Sequence, residues 1–136
     1  MIRLAVHGGA GPHRCDTREA KLEGCERAVE AGWAILEAGG TAVDAVEAAT
    51  RVLEDDPLFD AGYGSYLNAD GLVELDAILM DGASVRFGAV AAVPAVRHPI
   101  TLARRGRGTA TPARLAGGSA PRVATTECRR VARMIP

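Results

Sequence analysis

Aromatic residues are scarce in this chain of 136 residues and make up 4% of it. The core must therefore be built from Ala, Val, Leu and Ile. Three cysteines occur, and their odd number and irregular spacing exclude a disulfide framework, so we expect reduced thiols. No apolar run approaches the ~18 residues that a membrane-spanning helix requires. The first residues also lack the apolar stretch of a signal peptide, which favours a cytoplasmic location.

Acidic residues are almost missing from the last quarter of the chain. Residues 104–136 carry eight arginines and one glutamate, for a net charge of +7, whereas residues 1–103 carry −8. The hydrophobic periodicity is also lost there, except for a weak helix pattern at 126–134. Such a break indicates a nucleic-acid-binding tail or a segment of different origin. We therefore divide the chain into residues 1–105 and a tail, 106–136, that we predict to be disordered or irregular.

Hydrophobic periodicity predicts three strands and three helices before the tail. They are a strand at Arg3–Val6, a helix from Asp16, a helix capped by Thr41, strands at Leu72–Met80 and Val85–Val93, and a helix at Ile100–Arg105. The first two helices should pack as an antiparallel hairpin. Their predicted apolar faces are Leu22, Cys25, Val29, Gly32 and Leu36 on the first helix, and Val43, Val46, Thr50 and Leu53 on the second. The strand from Val85 is small and apolar, which predicts burial on both faces.

The Gly-rich segment His7–Gly11 follows the first predicted strand and has two interpretations. It could cradle a phosphate, but Pro12-His13 replaces the Lys-Ser/Thr of a P-loop, and Arg14 stands where a dinucleotide fingerprint needs its third glycine. The alternative is a tight turn from strand to helix. Zinc could bind His7, His13, Cys15 and His98, although their spacing matches no structural zinc site.

Carboxylates cluster in two further places. Asp55, Asp56, Asp60 and Asp70 fall in a loop with Pro57 and several glycines; they could bind calcium, form a solvated acidic turn, or belong to a loop whose main-chain carbonyls hold a monovalent cation. Glu74 and Asp76 share one face of a predicted strand that ends near Asp81. These three side chains could act as acid and base, or could serve structural hydrogen bonds.

Four segments, in this order, resemble the plant-type asparaginase/isoaspartyl peptidase family of N-terminal-nucleophile hydrolases. They are VHGGAG, GGTAVDAVEAA, LEDDPLFDAGYGS, and GLVELDAILMDG followed by GAVAAV; HPITLAR continues the match. The resemblance implies an αββα sandwich, here incomplete. It also implies hydrolysis of L-asparagine and β-aspartyl dipeptides by a threonine freed through self-cleavage, whose own amine is the base. Complete enzymes of this kind are homo-oligomers of αβ units.

The resemblance assigns few functional residues to this chain. Gly8 and Gly9 match a turn beside the nucleophile, and Asp60 stands in the active-site wall, where the family usually has asparagine. The resemblance also implies a sodium site formed by main-chain carbonyls of Leu53, Glu54, Asp56, Phe59, Ala61 and Tyr63. We expect no cofactor other than this structural sodium ion.

The family's Gly-Thr-Val-Gly cleavage motif does not occur in these 136 residues, and Gly108-Thr109-Ala110 is only a superficial echo of it. We expect no catalytic residue and no turnover from this chain alone. The tail has the composition of a frameshifted or truncated product, and the alternative is a natural divergent tail. Two alternatives are a non-catalytic α-subunit-like partner of a separately encoded β half, and a nucleic-acid-binding module that uses the basic tail.

Overall fold

A computed structural model describes residues 1–10 and 17–107, together with the backbone of 114–116. The chain forms two compact units, Met1–Ser65 and Tyr66–Pro136. Within the described residues, no helix is long and apolar enough to cross a membrane.

The first unit is built on two helices, α1 (Arg18–Glu37) and α2 (Ala42–Asp55), which pack against each other. Helix α1 begins after Thr17, whose side chain makes no capping hydrogen bond, and the predicted cap Asp16 lies outside the described residues. Helix α2 has the predicted start. Thr41 accepts a hydrogen bond from the Asp44 amide at 3.1 Å, and the Asp44 carboxylate accepts one from the Thr41 amide at 3.2 Å.

Small residues form the seam of this helical hairpin. The buried small residues are Gly24, Ala28 and Gly32 on α1, and Ala45 and Ala49 on α2, where Glu54 is buried as well. A Cβ atom added to Gly32 would lie 3.0 Å from the carbonyl oxygen of Ala45, which shows how closely the two backbones approach. The antiparallel hairpin is therefore as predicted.

The predicted apolar faces of the two helices are partly wrong. Leu22 is 60% exposed and Val46 is 43% exposed, although both were assigned to the packed faces. The reason is that close helix approach requires small residues, whereas periodicity of large apolar residues marks a stripe beside the seam.

The predicted strand Arg3–Val6 is also wrong, because residues 1–10 form neither helix nor strand. The segment lies along α1, with Leu4 against Gly32 and Gly8 against Cys25. Alternate residues from Leu4 to Gly8 are half-buried, so the period of two is real. A strand also needs a hydrogen-bonded neighbour, which a local pattern cannot supply.

Among its described residues, the second unit contains one sheet of three strands, β1 (Leu75–Asp81), β2 (Arg86–Val93) and β3 (Arg114–Ala116), in that order. β1 and β2 are antiparallel, and β3 runs parallel to β2. β3 corrects the prediction that the tail holds no element before residue 126. Three residues are too few to show a period. The predicted helix at 126–134 lies outside the described residues.

Helix α3 (Pro99–Gly106) packs on both β1 and β2. Its backbone lies directly on Gly88, where an added Cβ would meet the carbonyl oxygen of Ala103. On the other face, Ile78 and Met80 are 67% and 58% exposed. On β2, Ala89 is half-buried and Ala91 is exposed, so this strand is not buried on both faces, contrary to the prediction from its apolar sequence. The described residues show one sheet, so the two-sheet sandwich stays a prediction.

Candidate functional site

The loop that follows α2 contains Asp60 of the active-site wall and four of the six residues assigned to the cation site, Asp56, Phe59, Ala61 and Tyr63, whereas Leu53 and Glu54 lie in the last turn of α2. Asp56 has extended backbone angles, as expected before Pro57, and it ends the helix. Its carboxylate accepts hydrogen bonds from the Leu58 amide at 2.9 Å and from the Arg27 guanidinium of α1 at 2.7 Å. The Asp56 side chain is 10% exposed, so this ion pair tethers the start of the loop to α1.

Two glycines allow the loop to curl on itself. An added Cβ on Gly62 would meet the carbonyl oxygen of Glu54, and one on Gly64 would meet the carbonyl oxygens of Pro57 and Phe59. The Tyr63 amide donates to Glu54 at 2.8 Å and closes the curl. Any side chain at Gly62 or Gly64 would therefore collide with loop backbone.

The loop carbonyls are the proposed sodium ligands. Among the six, the oxygen of Glu54 accepts from Tyr63, and the oxygen of Asp56 accepts from the Phe59 amide at 3.2 Å. A carbonyl oxygen has two lone pairs, so one hydrogen bond leaves room for a cation. The carbonyl oxygen of Pro57 also lies beside Gly64, although Pro57 was not among the six predicted ligands. The sodium site stays a prediction.

The Gly8–Gly9 turn lies in the same unit as this loop. Gly9 has φ of +98°, which favours glycine, and its amide donates to Nδ1 of His7 at 3.3 Å. A Cβ on Gly8 would lie 2.8 Å from the Phe59 ring and 2.7 Å from Sγ of Cys25. Asp60, the third residue assigned to the active-site wall, is exposed in the loop.

The side-chain metal sites considered from the sequence have no support in the described residues. Across residues 1–10 and 17–107, no three His, Cys, Asp or Glu side chains come together as a metal site. This result argues against the calcium alternative for the acidic loop, whose four aspartates all lie among the described residues. His13 and Cys15 of the zinc alternative lie outside the described residues. A site made of main-chain carbonyls is a different kind of site, to which this result does not apply.

The three carboxylates around β1 each have a separate structural partner. Glu74 accepts from Asn68 at 2.9 Å, and Asp76 accepts from the Ala92 amide at 2.7 Å, where β2 bulges and Ala92 has φ of +49°. Asp81 accepts from the Ser84 hydroxyl at 2.7 Å and from Arg107 at 2.6 Å. These bonds favour the structural interpretation over acid and base roles.

The hydrogen bonds also change the pKa of Asp81. The Ser84 hydroxyl, the Ala83 amide and the Arg107 guanidinium all favour the charged carboxylate and hold its pKa below the ordinary value of 3.8. Desolvation opposes them without reversing the direction. The carboxylate stays ionised near neutral pH and cannot serve as a proton donor there.

A surface cleft of about 580 Å³ lies beside the start of the loop. Its lining residues are Ala20, Glu23, Arg27, Val52, Asp55, Asp56, Pro57 and Leu58. The cleft is open and contains the Arg27–Asp56 ion pair. It does not include Gly8, Gly9 or Asp60, so the cleft is separate from the residues assigned to the active-site wall.

The structure thus packs the Gly8–Gly9 turn against the loop after α2, and both belong to the segments that carry the family resemblance. A family model described as asparaginase matches residues 1–130. The isoaspartyl peptidase/L-asparaginase of Macaca fascicularis is 54% identical over 102 residues, which cover 74% of this chain and 33% of the relative. The human protein of the same name is 53% identical over 102 residues, with the same two coverages. The plant-type L-asparaginase of Pyrococcus abyssi is 51% identical over 106 residues, or 77% of this chain and 34% of the relative.

The chain belongs to the asparaginase family. It spans about a third of the length of the curated relatives it matches. The family match extends past residue 105 into the segment that the sequence set apart as a tail. The division at residue 105 stays a prediction.

Proposed function

We propose that these residues are the N-terminal part of an amidohydrolase that releases ammonia from L-asparagine and cleaves β-aspartyl dipeptides. The supporting observation is the identity of about 50% to proteins named isoaspartyl peptidase/L-asparaginase and plant-type L-asparaginase. The loop and the Gly8–Gly9 turn would form one wall of the active site in an αββα sandwich. A nucleophilic threonine and its amine base would come from a β half outside these residues.

The loop would have a structural role in this enzyme. Hard cations take oxygen ligands, and a sodium ion held by its carbonyls would fix the curl around Gly64. Main-chain carbonyls have no proton to lose, so binding should change little with pH near neutrality, unlike binding at His or Cys. A cytoplasmic location and assembly into a homo-oligomer of αβ units remain proposals from the sequence and its resemblance.

The direct test measures ammonia release from L-asparagine and from β-aspartyl dipeptides. We expect no turnover from the 136-residue chain, and turnover after the remaining two-thirds of a relative are co-expressed with it. The first expectation would be wrong if the chain alone released ammonia above the blank and Thr109→Ala abolished that release. The proposed function itself would be wrong if the assembled pair stayed inactive on both substrates.

The alternative hypothesis, that the chain is a non-catalytic partner of a separately encoded β half, differs from this proposal only in the origin of that β half. Genomic DNA downstream distinguishes the two, because a separate in-frame β gene favours the partner and a Gly-Thr-Val-Gly stretch in another frame favours one interrupted enzyme. The nucleic-acid hypothesis rests on the charge of residues 104–136 alone.

A further inference from the structure

We infer that Phe59 is a positioning residue that couples the shape of the loop to the Gly8–Gly9 turn. The inference rests on the proposed function, which places that turn beside the nucleophile. Phe59 is 3% exposed, although the residues on either side of it in the loop are exposed or half-buried. The chain therefore turns this one ring inward from an acidic surface loop.

Two glycines from different segments receive the ring. A Cβ on Gly24 of α1 would lie 2.6 Å from Cε2 of Phe59, and a Cβ on Gly8 would lie 2.8 Å from Cε1. Real Cβ atoms do not approach this closely, so both positions accept only glycine while the ring is in place. The ring thus lies between α1 and the Gly8–Gly9 turn and contacts both.

The loop backbone fixes the ring from the other side. The Phe59 amide donates to the Asp56 carbonyl, and the Phe59 carbonyl lies against Gly64 inside the curl. Arg27 holds the Asp56 side chain to α1. A change in the curl, such as the gain or loss of a cation at its carbonyls, would therefore move the ring and with it the turn.

The groups nearest to an added Cβ on Gly8 are the Phe59 ring and Sγ of Cys25, and a Cβ on Gly9 would meet nothing within 4 Å. Segment 1–10 is neither helix nor strand, so no ladder of backbone hydrogen bonds holds it. A loosely held segment responds to the loss of a single packed ring, because its opening free energy is low.

The experiment measures hydrogen exchange by mass spectrometry on the full chain, with Phe59→Leu against Phe87→Leu. The sequence holds only these two phenylalanines, and Phe87 lies on β2 in the other unit, which makes it a matched control. We expect exchange of the Gly8 and Gly9 amides to rise about tenfold in Phe59→Leu and to stay unchanged in Phe87→Leu. No change in Phe59→Leu would overturn the inference.

A second pair of variants decides the question if Phe59→Leu unfolds the first unit. Gly24→Ala adds a methyl group that pushes the ring without removing it, so exchange at Gly8 and Gly9 should rise. In the double variant, Phe59→Leu with Gly24→Ala, the smaller leucine side chain leaves space for the added methyl group. Exchange at Gly8 and Gly9 should then fall back toward the wild-type rate. If the two substitutions act independently, the ring does not connect α1 to the turn and the inference is wrong.

The same measurement in sodium chloride and in choline chloride, at equal ionic strength, separates this inference from the sodium proposal. If the Phe59 inference and the sodium proposal are both correct, sodium slows exchange at Gly8 and Gly9 in the wild type but not in Phe59→Leu. If sodium has no effect on the loop or the turn, the sodium proposal fails while the Phe59 result stands. If sodium slows exchange in the loop and leaves the turn unchanged, the coupling is wrong.

Discussion

The two units of this chain differ in the size of the residues at their packed positions. In Met1–Ser65, the seam between α1 and α2 is built from glycines and alanines that bring backbone against backbone. In the second unit, the buried side chains include the larger apolar groups of Leu75, Leu79 and Val90. Interiors of the first kind depend on positions where no larger side chain fits. Interiors of the second kind depend on side chains that must stay large.

The units also differ in what they expose. The first unit turns its one phenylalanine inward, whereas the sheet leaves Ile78 and Met80 in contact with water. Large apolar side chains on an open sheet face favour association with another surface. Both units leave large apolar side chains exposed, among them Leu22 and Tyr63 in the first, but Ile78 and Met80 share one face of one strand.

The largest expected effect is at the curl of the loop. Gly64→Val places a branched side chain against two carbonyl oxygens and should lower the free energy of unfolding by about 3 kcal/mol. Asp55→Ala, which removes an exposed charge nearby, should change it by less than about 0.5 kcal/mol. Urea unfolding followed by circular dichroism measures both. Equal effects would show that the curl of the loop does not depend on backbone approach at Gly64.

The second effect tests whether backbone approach matters in the sheet unit as well. Gly88→Ala puts a methyl group into the backbone of α3 and should lower the free energy of unfolding by about 2 kcal/mol. Gly82→Ala is the control, because its Cβ would meet nothing within 4 Å. If both variants unfold at the same urea concentration, α3 does not pack on β2 as closely as described.

Local signals in the sequence predicted the structure better than signals that need a partner. The predicted N-cap at Thr41 was confirmed, because its bonds to Asp44 join residues three apart in the chain. Helix α2 ends at Asp55, because Asp56 precedes Pro57 and has extended backbone angles. The strand at Arg3–Val6 was wrong, since its existence depends on a neighbour that the local pattern does not specify.

The candidate site shows the same division. The sequence could identify the loop, its glycines and the Gly8–Gly9 turn from their order along the chain. It could not show that Phe59 lies between Gly8 and Gly24, because those contacts join residues 35 to 51 positions apart. The exposure of Leu22 was missed for a related reason, as the packed seam follows the smallest residues of α1.

The third effect depends on pH and concerns the turn between β1 and β2. The pKa of Asp81 is lowered in the folded chain, so its contribution to stability is complete above the unfolded value. That contribution is lost as pH falls below about 4 and through the folded pKa. Urea midpoints between pH 6 and pH 2 should fall less steeply for Asp81→Asn than for the wild type. Asp70→Asn, which removes an exposed carboxylate elsewhere, should keep the wild-type slope.

The smallest expected effect on stability is on the open face of the sheet, where the effect on association is expected to be large. Ile78→Thr with Met80→Thr removes apolar surface that is already exposed, so the free energy of unfolding should change by less than about 0.5 kcal/mol. We expect the wild-type chain to self-associate and the double variant to elute with a smaller apparent mass by light scattering.

Ile2→Thr is the matched control for the sheet face, because Ile2 is 59% exposed but lies outside every strand. If loss of any exposed apolar side chain were enough, this variant would also reduce association. We expect it to behave as the wild type, since a scattered apolar side chain is ordinary on protein surfaces and a continuous face is not. A wild-type chain that is already monodisperse would show that the open face does not drive association, and the contrast between the two units would then concern packing alone.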